Sequence, residues 1–479
     1  MLVRVLVLLL TSLGLSVPAQ AAAVPDLTVR DGWARQHGTT AVAGFKVLRR
    51  SGSVRRTRYA VGVRAPSGWV ELGHGRVRGL ELGVPKAVRL DLDLTPLPNG
   101  QQTLTGCVDT AGAVRESNED NNCRPLGKVT VGPTTPPDPG PPRPVVDGNL
   151  LNDARTGKAW IPRGANWPDL EYSCAQGWIP QHPAAEALAM ADWGLNVVRL
   201  PLNQDCWLGV DGDPTGDWAG ASAYQAAVAT RVEDAHAAGL AVILELHWAA
   251  PEGVQAATGQ RAMADAQSAV FWSQVATAYR DDPSVMFDLY NEPYSVASYG
   301  AAALTWGCWR DGGCRVDTAP EGQALTGQTY QVVGMAELLA AVRGAGATQP
   351  VLLSGMDYAN DLTGWLSHRP GGDRQLVAAF HNYAHQGCGP ACWDGTILGV
   401  AAQVPVVMTE FGYSSQEPGW MDKVMTWGDD HGIGYLAWAW WNLPADEQHN
   451  ADYALLQSDS YEPRSPAGTT YHDHLATLP

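Results

Sequence analysis

The 479-residue chain is short of phenylalanine, with 5 Phe against 19 Trp, and short of charge, with 17% Asp, Glu, Lys and Arg. Phe and Leu fill space more simply than indole, so a core alone does not demand this aromatic balance; Trp is a platform for flat sugar faces, which points toward carbohydrate. No apolar run reaches the roughly 18 residues of a membrane-spanning helix, so no membrane span is expected. None of the 8 Cys forms a CxxC pair and no His spacing accompanies them, which argues against a structural metal centre. An excess of basic charge is missing too: the net charge is -17.

The first residues have the pattern of a secretory leader. Arg4 supplies the charge, an apolar run extends from Val5 to Leu10 and on to Val17, and Ala19-Gln20-Ala21 fits a small-residue cleavage site. An even number of cysteines fits an oxidising compartment, and proximity suggests the pairs Cys107–Cys123, Cys174–Cys206, Cys308–Cys314 and Cys388–Cys392. A secreted, extracellular protein is the expectation. Charge is unevenly divided: residues 24–132 hold 16 Lys/Arg against 10 Asp/Glu, a balance of +6, and residues 145–479 hold 14 against 38, a balance of −24. An acidic main region argues against nucleic acid or anionic membrane as its ligand and is compatible with neutral polysaccharide.

Residues 133–144 contain seven Pro and read as an extended, semi-rigid spacer. Upstream, alternating runs such as Thr40–Leu48 and Ala87–Leu94, bounded by Gly, Pro and Asn, predict an all-β sandwich of six or seven strands over 24–132. Its opening Pro25-Asp-Leu-Thr-Val29 and closing Val114-Arg-Glu-Ser-Asn-Glu-Asp-Asn-Asn122 resemble the CARDB module, an immunoglobulin-like domain related to bacterial adhesion. The Asx-rich closing segment reads as a polar turn before the last strand, with calcium binding as the other reading. Such a module would hold the protein to a cell surface or to insoluble polymer.

Downstream, strand and helix patterns alternate about eight times, with strand ends expected at Asn166, Pro201, His247, Asn291, Met356, Tyr383, Phe411 and Trp440. Eight units over 145–479 predict a (β/α)8 TIM barrel. An open doubly wound sheet is the weaker alternative, because no Gly-rich phosphate turn follows the first strand. In a closed barrel, side chains at strand C-termini face the catalytic mouth. Seven of the eight ends carry polar or aromatic residues here, among them Trp167, Arg199, His247, Asn291, Glu292, His381, Tyr383, Glu410 and Trp438.

Phe287-Asp-Leu-Tyr-Asn-Glu-Pro293 on the fourth strand and Val406-Val-Met-Thr-Glu-Phe-Gly412 on the seventh resemble the signature of glycoside hydrolase family 5, the cellulase-type family. The resemblance extends to Asn196–Pro201, Glu245–Trp248, His381-Asn-Tyr383 and Leu436-Ala-Trp438. It implies retaining hydrolysis of a β-linked polysaccharide, with Glu292 as acid/base and Glu410 as nucleophile. Glu292 should stay protonated near neutral pH, raised chiefly by the charge of the neighbouring carboxylate. Arg199 would hold Glu410 ionised, Tyr383 would hydrogen-bond it, Asn291 would meet the sugar 2-hydroxyl, and His247, His381, Trp438 and Trp167 would line the subsite.

Glu245 and Asp288, inside strands, are expected to make structural hydrogen bonds. Trp178, Trp207, Trp248, Trp306, Trp309 and Trp393 fall near loops above the mouth, each as apt for packing as for sugar. Cellulose-type β-1,4-glucan is the first substrate expectation, mannan the second, and other β-glucans follow. A polysaccharide-binding or adhesion protein with an inactive barrel is the alternative of another class. No metal or organic cofactor is implied, because side chains supply both the proton and the covalent trap.

Overall fold

The computed structural model describes residues 23–37, 40–65, 68–98, 100–131, 140–177, 184–210, 220–256, 259–442, 452–458 and 460–478. All but the last residue of the leader read at 1–23, most of the Pro-rich spacer and Trp178 fall outside them. Two compact units lie within residues 1–135 and 136–479.

The first unit is built of β1 (Asp26–His37), β2 (Thr40–Ser51), β3 (Arg56–Ala65), β4 (Gly68–Arg78), β5 (Lys86–Asp93), β6 (Gly100–Val108) and β7 (Cys123–Val131). They pair antiparallel in two sheets, ordered β1-β2-β5 and β4-β3-β6-β7. The period of two in each strand turns one face inward. Leu27, Val29, Ala43, Phe45 and Val47 of the first sheet thereby share a core with Val61, Val63, Leu104 and Val129 of the second. Cys107 and Cys123 sit opposite each other on β6 and β7 and form a disulfide. Side chains close the Asx-rich segment before β7: Glu116 accepts from the Leu27 amide and, at 3.0 Å, from Asn122 Nδ2, and Asn121 Nδ2 reaches Asp26 Oδ1 at 2.8 Å.

The second unit opens with a small sheet of β8 (Pro144–Asp147), β9 (Leu150–Asp153) and β10 (Lys158–Ala159). The closed parallel barrel follows: β11 (Arg163–Asn166), β12 (Val197–Asn203), β13 (Ala241–Trp248) and β14 (Val285–Asp288). A hairpin of β15 (Arg315–Asp317) and β16 (Thr329–Gln331) interrupts it. It then resumes with β17 (Val351–Ser354), β18 (Leu376–Asn382), β19 (Val406–Phe411) and β20 (Gly434–Ala437), which pairs back on β11. Helices on the outside and side chains in the lumen bury both faces of these strands, so they read as continuous apolar runs such as Ala-Val-Ile-Leu in β13.

The pleat explains where polarity appears. Val198, Leu200, Val242, Leu244, Phe287 and Phe380 pack outward against the helices, and the intervening residues point into the lumen. Its lower layer is apolar, formed by Val197, Ile243, Met286, Leu352, Val377 and Val407 with Leu151 and Trp160 beneath. Two residues further along the same strands stand Arg199, Glu245 and Asp288, all fully buried. Strands β14 and β12 end at Asp288 and Asn203 rather than at Asn291 and Pro201, so Asn291 and Glu292 lie on the turn that leaves the barrel.

Candidate active site

Alternation places Arg199 of β12, Glu245 and His247 of β13, Asp288 of β14 and His381 of β18 around one axis. Arg199 is the hub. Its Nη1 donates to Glu410 Oε1 at 2.8 Å and to Asn166 Oδ1 at 2.9 Å. Nε reaches Asp288 Oδ2 at 2.9 Å and Nη2 reaches Asn291 Oδ1 at 3.0 Å, with Glu245 Oε1 at 3.6 Å. Burial alone would depress the guanidinium; the charges of Glu245, Asp288 and Glu410 outweigh it and raise its pKa. A planar fork of donors suits this multiple contact in a way an ammonium does not.

The second oxygen of Glu410 accepts from the Tyr383 hydroxyl at 2.8 Å, so each carboxylate oxygen has a fixed donor. Burial, and next the charge of Glu410, pushes the Tyr383 phenol well above its usual pKa and keeps it a donor. Facing Glu410, Glu292 meets His381 Nδ1 at 2.7 Å and receives Gln260 Nε2 at 3.4 Å. Gln260 also accepts from Asn291 Nδ2 at 2.8 Å, bracing both residues of the turn. One oxygen of each glutamate and one His381 nitrogen lie within 4.8 Å of one another, a set that could also hold a cation, although its atoms already engage each other, Arg199 and Tyr383.

The two glutamates therefore differ in surroundings. Burial raises Glu292 to about 7, partly offset by His247, Gln260 and Arg199. This corrects the expected cause: withdrawal from water, not the charge of Glu410, is the force on this carboxyl. His381 is driven down to about 3 and His247 to about 4, in both cases chiefly by burial, so both imidazoles are neutral at pH 7. Glu245 rises to about 8 and Asp288 to about 7 by burial, opposed by Arg199. The structural hydrogen bonds expected of them are present: Glu245 meets His247 Nδ1 at 2.9 Å and Asp288 meets Arg199.

An open cleft of about 1030 Å³ lies over these groups, lined by His247, Asn291, Glu292, Tyr383, Glu410 and Trp438 of the expected set. Trp438 stacks on His247 with ring centroids 5.3 Å apart. Three expectations change. Arg199 and His381 are fully buried beneath the cleft and act on the glutamates rather than on its wall. Trp167 is fully buried as well, with the Arg231 guanidinium 4.8 Å from its ring centroid, and is a packing residue. Of the loop tryptophans, Trp207, Trp309 and Trp393 are also buried.

Gln260, Glu321, Tyr358, His385 and Tyr453 line the cleft without having been singled out from the sequence. Tyr358 sits in a run of left-handed residues, Asp357, Tyr358 and Ala359, with φ of 51°, 61° and 55°. Such a run of non-glycine residues has no sequence signal and marks a held, strained turn. It is tied to the glutamate turn by the Tyr358 amide donating to Pro293 O at 3.0 Å. Cys388 and Cys392 form a disulfide beside this turn, with the Cys388 amide donating to Asn360 Oδ1 at 2.9 Å, and the pairs Cys174–Cys206 and Cys308–Cys314 form as proximity suggested.

Comparison with known proteins agrees with this architecture. Residues 156–444, more than half of the chain, match the family described as Cellulase (glycosyl hydrolase family 5). Among solved structures, a β-glucanase from Saccharophagus degradans is 17% identical with a TM-score of 0.54, over 70% of this chain and 94% of that one. The catalytic domain of the major endoglucanase from Xanthomonas campestris pv. campestris is 18% identical with a TM-score of 0.51, over 70% of this chain and 100% of that one. At such identities these two likenesses speak for the fold. No curated protein is similar enough to match.

Proposed function

This chain belongs to glycosyl hydrolase family 5, and from that premise we propose that it is a secreted, retaining endoglucanase acting on cellulose-type β-1,4-glucan. The observation that carries the proposal is the facing pair of carboxyls, Glu292 and Glu410, within 4.8 Å in unlike surroundings. Retaining enzymes hold their carboxyl groups about 5–5.5 Å apart, whereas inverting enzymes leave about 6.5–9.5 Å for a water.

Glu410, oriented by Arg199 and Tyr383, attacks the anomeric carbon as the carboxylate. Glu292, protonated below its pKa of about 7, gives its proton to the departing glycosidic oxygen. A glycosyl ester on Glu410 results. Glu292, now ionised, takes a proton from the attacking water, and the ester opens with the original anomeric configuration. Neutral His381 holds the Glu292 carboxyl in place through its Nδ1 hydrogen bond in both steps. Asn291, held by Arg199 and Gln260, is placed to meet the sugar 2-hydroxyl at the cleft surface, and Trp438 offers its ring as the floor.

The open form of the cleft supports internal cleavage of a chain. The disulfides and the leader-like N-terminus support export. We read the first unit as a CARDB-like immunoglobulin-fold module over 24–132, joined through 133–144 to the catalytic region at 145–479.

Magnetic resonance of the first-formed product from carboxymethylcellulose should show the β-anomer, and glucomannan and laminarin should be cleaved more slowly. Glu410→Gln should lower kcat by about a thousandfold or more. The rate should fall as pH rises through about 7, because the acid loses its proton. An α-anomer would sink the retaining mechanism, faster cleavage of glucomannan would move the substrate to mannan, and inactivity on all three polymers would sink the endoglucanase reading.

A further inference from the structure

Among the described residues, the exposed tryptophans are Trp33 and Trp69, each at 37%, and both belong to the first unit. Trp33 lies on the outer face of the β1-β2-β5 sheet. It stands opposite Gly44 of β2, and Gly44 stands opposite Arg89 of β5. A Cβ on Gly44 would come within 2.9 Å of the indole, so the glycine is what lets the ring lie across the sheet. The guanidinium carbons of Arg35 and Arg89 are 5.6 and 5.8 Å from the ring centroid. Arg30 and Lys46 form the adjacent row of the same face, with Asp31 3.6 Å from Lys46. Asp91 and Asp93 face outward farther along β5.

The indole is not part of the inner core, and on its own face Val42 is the apolar neighbour, 1% exposed. The inward residues Val29, Ala43, Phe45 and Val47 already supply the core, and an indole on the opposite face leaves apolar surface in water. A flat aromatic flanked by two guanidiniums offers a stacking platform for a sugar ring and paired donors for a carboxylate. The unit's balance of +6 favours an anionic ligand, whereas the main unit carries −24. We propose that the Trp33–Arg35–Arg89 face is a binding site for an acidic polysaccharide, one whose sugars bear carboxylates. Binding there would keep the catalytic unit near composite polymer and raise its effective concentration on the β-glucan it cleaves.

Affinity electrophoresis of the full chain tests this, with polygalacturonate, hydroxyethylcellulose and polyglutamate as the polymers in the gel. The cleft can bind polysaccharide by itself, so the quantity read is the part of the retardation that Trp33→Ala removes. Polygalacturonate should lose about tenfold in apparent affinity on Trp33→Ala and on the double variant R35Q/R89Q, with the unfolding midpoint unchanged. Raising the salt should weaken the Trp33-dependent part of the wild-type interaction with polygalacturonate. Equal Trp33-dependent retardation by polyglutamate would overturn the proposal in favour of simple charge. Equal Trp33-dependent retardation by hydroxyethylcellulose would overturn the acidic class, and no effect of Trp33→Ala would overturn the face.

Discussion

In the barrel unit Trp167, Trp272, Trp309, Trp365 and Trp440 are fully buried, whereas in the sandwich unit Trp33 and Trp69 stand 37% exposed. Three of these buried indoles do what phenylalanine cannot. Trp272 donates to Leu289 O at 2.9 Å, Trp309 to Ser354 O at 3.0 Å, and Trp365 to Leu353 O at 2.9 Å. These carbonyls lie at or just beyond the C-terminal ends of β14 and β17, where the chain turns out of the barrel. A buried carbonyl there must find a donor, and an indole supplies one along with a large apolar surface. The shortage of Phe thus reflects strand ends that need fastening as well as sugar that needs a platform. On the sandwich Trp33 crosses a glycine on an outer face, and its ring meets two guanidiniums instead of a strand-end carbonyl.

The strongest way to break this contrast is at the barrel hub. Arg199→Ala leaves Glu245, Asp288 and Glu410 without their shared cation in a buried place, and unfolding should become easier by about 3–5 kcal/mol. Urea unfolding read by tryptophan fluorescence checks this, and kcat of the folded fraction should fall at least about a hundredfold as Glu410 loses its orienting donor. Comparable stability of the variant would show that the carboxyls neutralise themselves by taking up protons.

Next in size is the pair Trp272→Ala and Trp33→Ala. The first should cost about 3–5 kcal/mol, because it opens a cavity and strands the Leu289 carbonyl; the second should stay within about 0.5 kcal/mol. Similar costs, measured by denaturant midpoints, would erase the distinction between the two kinds of indole.

The smallest effect per residue is a pH dependence. Glu292, Asp288 and Asp265 have folded pKa values of about 7 and Glu245 about 8, all raised above the unfolded carboxyl by burial. The stability held by such groups is present below the unfolded value and is lost as pH rises through the folded one. His247 and His381 act in the opposite sense, but only below an unfolded value of about 6.5. Between pH 6.5 and 8 the carboxyls act alone, and the barrel should lose about 1 kcal/mol for each. Calorimetry should show the barrel transition moving down over this range. A barrel midpoint that rises with pH would contradict the burial assigned to these carboxyls.

Much of the cleft is legible in the amino-acid sequence. Residues at or just past the strand ends, Glu292, Asn291, His247, Tyr383, Glu410 and Trp438, identify it, because apolar runs followed by polar residues deliver those residues to the mouth of a parallel barrel. The half-turn from wall to floor is not legible. Arg199, His381 and Trp167 have the same residue types and spacing as cleft-lining groups, yet the pleat and the helices around them put all three out of contact with solvent. Gln260 and Tyr358 carry no signal, since one arrives from a loop distant in sequence and the other depends on a left-handed turn of non-glycine residues.

The eightfold alternation of the barrel and the four cysteine pairings follow from the sequence by itself, through local periodicity and proximity along the chain, and the two glutamates from the motifs it shares with the family; the β8–β10 sheet and the β15–β16 hairpin do not. Only the tertiary structure decided why Glu292 is raised, which tryptophans fasten strand ends and which face water, and which polar residues form the cleft rather than its foundation. Those are questions of burial, and burial is set by everything that packs around a residue rather than by its neighbours in the chain.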